Sequence, residues 1–238
     1  MSFPELRNKV AIVTGASGGI GSAVVNRLRE HGVRVYGTDI RDSADSCFIK
    51  GDIADAGFIA GLVAQVVERE HRIDILINNA GICPRTALLD INEEEWLKVM
   101  DVNLKSAFLL SQACMREMMK NKSGTMVNLA SMAGKVGGIA VGAHYSASKA
   151  ALGCLTKSLA RCGAPSGIRV NAVAPGVIDT EITKGASPEQ MEGFRKSIPL
   201  GRIGRIAEVV EPILFLLSDS ASYMTGVTID INGGLLMD

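Results

Sequence analysis

A doubly wound parallel α/β sheet with helices on both faces is the fold this sequence predicts, and three observations predict it. Short apolar runs alternate with helical patterns from one end to the other, a glycine-rich turn follows the first run, and no linker, repeat or low-complexity block breaks the alternation. Alternation of this kind implies a parallel sheet covered on both faces. Residues 1–238 therefore read as one domain, long enough to bury a substantial core.

The runs KVAIVT, VRVYGT, IDILIN, TMVNLA, IRVNAVA and VTIDI each read as a buried strand, with CFI a weaker seventh. Helical periodicity fills 19–31, 55–71, 93–120, 146–162 and 206–217 between them. The one long stretch without a regular pattern is 176–199, GVIDTEITKGASPEQMEGFRKSIP. It follows a strand end, and open α/β sheets bind ligands beyond the carboxyl ends of their strands. A loop of that length at that place reads as a substrate lid.

Composition removes several functions. Lys plus Arg is 25 and Asp plus Glu is 25, so no basic tract marks nucleic acid or a membrane surface. Cys47, Cys83, Cys114, Cys154 and Cys162 form no Cys-x-x-Cys pair and read as reduced thiols. The start, MSFPELRNKV, is charged and is not a signal peptide, and no stretch approaches the roughly eighteen apolar residues of a membrane span. No His/Cys/Asp cluster has metal-ligand spacing. The expectation is a soluble cytoplasmic protein without a metal. His31 and His71 read as surface groups, His144 as a pocket wall, and Trp96 as packing. Met115, Met118 and Met119 fit a core face or a subunit interface.

The chemistry begins at TGASGGIG, residues 14–21, between the first strand and its helix. A backbone that turns sharply, approaches a pyrophosphate and packs helix on strand has no room for a Cβ at Gly15, Gly19 or Gly21. The helix start then offers free N–H groups to phosphates, so Ser17, Gly18 and Ile20 join the glycines as candidate contacts. Asp39, at the end of the second strand, can accept both hydroxyls of an adenine ribose and would repel a 2′-phosphate. Asp52 could face the adenine, with Ile53 offering backbone. In HYSASKAALG, Tyr145 and Lys149 stand one helical turn apart and share a face among small residues that leave room for a bulky ligand.

Together the glycine spacing, NNAG at 78–81 and the Tyr145/Lys149 pair resemble the short-chain dehydrogenase/reductase family, over essentially the whole chain. Pro175-Gly176, Thr180 and the closing TGVTIDINGG extend the resemblance. The segment IDTEITKGASPEQMEGFRKSIPLGRIG is most similar to the lid of 3-oxoacyl-acyl-carrier-protein reductases. The resemblance implies a Rossmann-type fold and hydride transfer between a nicotinamide cofactor and a small carbonyl or secondary alcohol. It also implies a catalytic set of Asn103, Ser131, Tyr145 and Lys149. A free tyrosine has a pKa of about 10, and a lysine cation in reach can hold it roughly one to three pH units lower. Lys149 would also hold the nicotinamide ribose, Ser131 would stabilise charge on the substrate oxygen, and Asn103 would hold a water that relays protons to Lys149. Asn78 would tie neighbouring strands while Asn79, Ala80 and Gly81 pass the adenosine. Thr180 would bond the carboxamide, with Ile178 beside it.

One departure stands out: SMAGKVGGIAVGAHY, from Ser131 to Tyr145, looks one residue longer than the family interval, which a glycine-rich bulge can absorb. The substrate expected first is a 3-oxoacyl thioester; the alternatives are a small cyclic or aryl alcohol or diol, or a non-catalytic nucleotide sensor on the same fold. The two hints about the cofactor pull apart. Reductases of that lid type usually take the phosphorylated form, whereas Asp39 and Gly18 favour NAD(H), with Arg41 leaving NADP(H) possible. Apolar residues around much of the helices at 93–120 and 146–162 predict a homo-oligomer, a tetramer with dihedral symmetry.

Overall fold

The computed structural model describes residues 3–138, 140–184 and 187–237. Seven parallel strands form one sheet: β1 Val10–Thr14, β2 Arg34–Asp39, β3 Phe48–Lys50, β4 Ile75–Asn78, β5 Gly124–Leu129, β6 Ile168–Pro175 and β7 Thr228–Ile231. Their order is β3-β2-β1-β4-β5-β6-β7, with CFI supplying the short edge strand β3. The helices are α1 Gly19–Glu30, α2 Ala56–Glu70, α3 Glu93–Met100, α4 Ser106–Asn121, α5 Ala133–Val136, α6 Ala143–Gly163, α7 Glu181–Lys184, α8 Pro188–Ser197 and α9 Ile206–Leu217.

Strand pleating explains why both faces need cover. On β1, Ala11 and Val13 pack toward α1 and α9, against Val24, Leu28, Val209 and Ile213. Val10 and Ile12 alternate to the other face, against Ile59, Leu62 and Val66 of α2 and Leu110 and Met118 of α4. Each fully buried Leu or Ile here contributes about 1.5–3 kcal/mol. Polar ends fix the helices. Asp55 caps α2 by accepting from the Gly57 N–H at 2.7 Å, and Asn92 caps α3 by accepting from the Glu95 N–H at 2.8 Å.

Two expectations change. The helix read over 93–120 is interrupted by a π turn, Asp101–Lys105, which carries Asn103. The stretch 176–199, which lacked a regular pattern, holds α7 and α8. Helix α8 buries none of its residues, so it has no apolar stripe to betray it. Its start is set by a capping box instead: Ser187 Oγ accepts from the Gln190 N–H and Gln190 Oε1 from the Ser187 N–H.

Candidate active site

Helix α1 leaves β1 toward one face of the sheet and α4 follows β4 on the other, so a crevice opens beyond the carboxyl ends of these neighbouring strands. The glycine turn lies at its floor. Gly15 has φ +65°, a conformation that favours glycine, and a Cβ on Gly21 would stand 2.1 Å from the Gly15 carbonyl oxygen. Above Gly19 a Cβ would meet nothing within 4 Å, so the start of α1 faces open space. Thr14 and Asn79 lock the turn to the end of β4. Thr14 Oγ1 accepts from the N–H groups of Asn79 and Ala80 at 3.0 and 2.9 Å, and Asn79 Nδ2 donates to the Thr14 carbonyl at 2.9 Å. Asn78 ties strands as expected, donating to Asn128 and to Ser111.

Two cavities share this crevice. The first, about 410 Å³, is lined by Gly15, Gly18, Gly19, Ile20, Asp39, Asp52, Ile53, Ala80 and Gly81. Ser17 and Gly21 lie outside its lining. Ser17 works from behind, its N–H donating to Asp39 Oδ2 at 3.2 Å, while its buried hydroxyl has no partner among the described residues. Burial pushes the Asp39 carboxyl up, but hydrogen bonds from the Arg41 backbone and side chain and from Ser17 outweigh it and hold Asp39 below its usual range. The Arg41 guanidinium lies across Gly18, 3.0 Å from where a Cβ there would stand. Asp52 turns its Oδ1 to the Ala54 N–H at 2.8 Å, which caps a turn.

The second cavity, about 350 Å³, shares Ile20, Asn79, Gly81 and Thr180 with the first. Ser131, Tyr145, Lys149, Pro175, Gly176 and Ile178 line it. Ser131 Oγ accepts from the Ala133 N–H at 3.1 Å, and its hydroxyl lies close enough to Tyr145 to favour the tyrosinate. The long interval between them is taken up by α5 and by Gly137 at φ +80°; position 139 lies outside the described residues. Lys149 Nζ donates to the Leu129 carbonyl at 2.5 Å and stands 5.8 Å from the Tyr145 ring centroid.

The tyrosine does not show the depressed pKa expected of it. Burial pushes it up to about 12, the Cys83 charge adds to that, and the Ser131 bond opposes both. Burial likewise lowers Lys149 to about 8. Asn103, 1% exposed, lies outside the cavity lining. Its Oδ1 accepts from the Ile82 N–H, and its Nδ2 donates to the Ile82 carbonyl and to Ser148 Oγ. The amide is thus a clamp between the loop after β4 and α6. Its Oδ1 and Lys149 Nζ both lie within 3.5 Å of where a Cβ on Gly81 would stand, so Asn103 remains next to the pair.

Several participants were not singled out in the sequence. Cys83 lines the same cavity, near enough to Tyr145 and Lys149 to interact with both, and burial pushes its thiol up to about 11. Thr183 Oγ1 accepts from the Thr180 N–H at 3.0 Å and bonds the Ile178 carbonyl at 2.9 Å, shaping the turn after Gly176. Nothing in residue type alone marks either. His144 is not a pocket wall: it is fully buried outside the lining and its Nε2 bonds Glu95 of α3 at 2.7 Å. His31 is half-buried at the end of α1 and bonds the Arg27 carbonyl, whereas His71 is exposed. Trp96 is 41% exposed, so it packs less than its type suggested. Among the described residues no helix is long and apolar enough to cross a membrane, and no group of three or more His, Cys, Asp or Glu could hold a metal ion.

A glycine turn at a helix start, an acidic side chain closing the second strand and a Tyr–Lys pair in the adjoining cavity define a nicotinamide-dependent oxidoreductase acting on CH–OH groups and carbonyls. The residues fit that cofactor: the space over Gly19 is open, and the Ser17 hydroxyl awaits a partner. The chain belongs to the short-chain dehydrogenase/reductase family; the family model described as Enoyl-(Acyl carrier protein) reductase matches residues 15–236. It is 40% identical to the 3-oxoacyl-acyl-carrier-protein reductase FabG of Vibrio cholerae, over 98% of this chain and 99% of that one. Among solved structures it is similar to a 3-oxoacyl-acyl-carrier-protein reductase from Brucella melitensis (TM-score 0.91, 33% identity, 99% and 94% of the chains). It is also similar to the aldohexose dehydrogenase of Thermoplasma acidophilum (TM-score 0.91, 32% identity, 98% and 96%).

Proposed function

We propose that the chain reduces 3-oxoacyl thioesters, with NAD(H) preferred over NADP(H). The observation that carries this reading is a protonated tyrosine beside apolar walls. Tyr145, raised to about 12, holds its proton at neutral pH, the state a carbonyl reductase needs. The walls beyond it are Val136, Val141, Ile178, Phe194 and Leu235. Such walls accept an acyl chain, whereas a sugar leaves its hydroxyls unpaired there. That is the argument against the substrate in the name of the Thermoplasma relative.

In this reading Gly15, Gly18, Gly19 and Ile20 cradle the cofactor phosphates, with Ser17 and Gly21 shaping the turn. Asp39 accepts the ribose hydroxyls, and Asp52, Ile53, Asn79, Ala80 and Gly81 border the adenosine. Pro175, Gly176, Ile178 and Thr180 border the nicotinamide, which when bound supplies the hydride. Ser131 donates to the substrate oxygen, and Tyr145 gives that oxygen its proton. Lys149, still mostly charged at neutral pH at about 8, steadies the tyrosinate left behind and holds the ribose. Asn103 positions Lys149 through its clamp. The stretch 176–199 acts as a lid.

We read the assembly as a homotetramer in the cytoplasm. Exposed Trp96, Leu97 and Phe108 on α3 and α4 support a buried subunit contact. NADH oxidation over a panel of a 3-oxobutanoyl thioester, cyclic and aryl ketones, and aldoses tests the reading. Fastest turnover of the thioester is expected. Preference for another carbonyl overturns the substrate, and no turnover at all would favour a nucleotide sensor.

A further inference from the structure

The closing INGG has no part in the site described above, yet it carries the next residue, Leu235, to the substrate cavity. After β7 the chain turns back on itself at Asn232, whose side chain is buried. Its Oδ1 accepts from the Gly234 N–H at 2.9 Å and its Nδ2 donates to the Leu236 carbonyl at 3.0 Å, while the Leu235 N–H reaches the Asn232 carbonyl at 3.2 Å. One amide thus holds the last turn in a hook.

The hook is wedged between two parts of the site. On one side, a Cβ on Gly176 would stand 2.8 Å from Asn232 Cβ, and the Gly176 N–H donates to the Ile231 carbonyl. On the other, the Leu200 N–H donates to the Gly233 carbonyl at 3.1 Å. Cβ atoms on Gly233 and Gly234 would press on Ile198 and Pro199, at the end of the lid. A larger residue would crowd these neighbours and strain the backbone, because both glycines have positive φ (+66° and +87°). This wedge, held against Ile198, Pro199 and Leu200, delivers Leu235 to the wall of the cavity that Phe194 and Ser197 also line.

We propose that the C-terminal hook is a specificity device and that Leu235 sets the length of acyl chain the cavity accepts, with Asn232 as its positioning residue. The proposal rests on the reading of the substrate as a 3-oxoacyl thioester. A leucine removed to alanine opens room for two to three more carbons. Each methylene that gains an apolar wall is worth about fourfold in kcat/KM, so two of them give about sixteenfold.

The test uses N-acetylcysteamine thioesters of 3-oxo acids from four to twelve carbons, with wild type, Leu235→Ala, Leu235→Trp and Asn232→Ala. The readout is the ratio of kcat/KM for each chain length to that for the four-carbon substrate. Leu235→Ala should shift the ratio at least tenfold toward longer chains, Leu235→Trp should shift it toward shorter ones, and Asn232→Ala should flatten it. Because the two leucine variants change bulk in opposite directions, a folding failure of one leaves the other informative. Ratios within twofold of wild type in active variants overturn the hook. If the wild type reduces no thioester, the substrate reading has failed. The same ratio is then read on a graded series of whichever ketone it does reduce, where an unchanged profile again overturns the hook and a shifted one supports it.

Discussion

Replacing Asp39 with alanine should invert the cofactor preference, and the structure gives the size of the effect. Asp39 is 9% exposed at its side chain and ionised; Arg41, its neighbour, is 60% exposed and reaches it at 3.4 Å. A 2′-phosphate entering this corner would face the carboxylate, and like charges about 4 Å apart in an effective dielectric of about 20 repel by about 4 kcal/mol. Arg41 returns about 1 kcal/mol or less, because an exposed ion pair is screened and its side chain loses freedom. The balance of about 3 kcal/mol exceeds the 1.4 kcal/mol or so that makes a tenfold ratio. Wild type should therefore favour NADH over NADPH by at least tenfold in kcat/KM. In Asp39→Ala the ribose hydroxyls lose charge-assisted bonds worth about 1.5–3 kcal/mol, so NADH use falls roughly tenfold to a hundredfold. NADPH use rises as Arg41 turns to the phosphate. Arg41→Ala is the control and should lower NADPH use more than NADH use. Steady-state rates with both cofactors on the three proteins decide the matter. Equal or better use of NADPH by wild type would show that Arg41 outweighs Asp39, and the electrostatic reasoning would be wrong.

Three further outcomes are expected. Tyr145→Phe should lower turnover at least about a hundredfold while NADH binding, followed by fluorescence titration, barely changes; substantial activity would remove Tyr145 from its role. Lys149 has a pKa depressed by burial, from an ordinary 10.5 to about 8. Between those values the unfolded chain binds the extra proton, so this group's contribution to stability rises with pH across that window and is a constant penalty below it. Lys149→Met should thus raise Tm at pH 7, by about 1–3 kcal/mol of stability, even as it abolishes reduction. In wild type, kcat/KM for reduction should fall above about pH 8. An unchanged or lower Tm in the variant would refute the burial account. Light scattering at micromolar concentration should give a tetramer, and a monomer would leave the apolar exposure of α3 and α4 without a purpose.

The strands were legible because buried parallel strands are short apolar runs, and the glycine turn and Tyr145/Lys149 were legible because their spacing reports local geometry. What depends on distant neighbours was not. The π turn at Asp101–Lys105 breaks a run whose periodicity reads straight through it. Burial, which raises Tyr145 rather than lowering it, is set by walls contributed from five separate parts of the chain, and no spacing encodes their sum. The missed helix α8 is different. Ser187-Pro188-Glu189-Gln190 is a start signal present in the sequence, overlooked because an exposed helix carries no apolar stripe.

The hook after β7 also bears on how the protein is made. Strands β1 to β4, the glycine turn and Asp39 all lie within the first 78 residues. A growing chain can therefore assemble its nucleotide corner with most of its length still unmade, because synthesis lets early segments fold first. The proton donor follows at residue 145, and the wall beside the lid closes only with Leu235. A nascent chain holds its phosphate turn and Asp39 well before it has a finished substrate cavity. A chain truncated before the hook would keep its glycine turn and Asp39 and lose the substrate wall that Leu235 supplies.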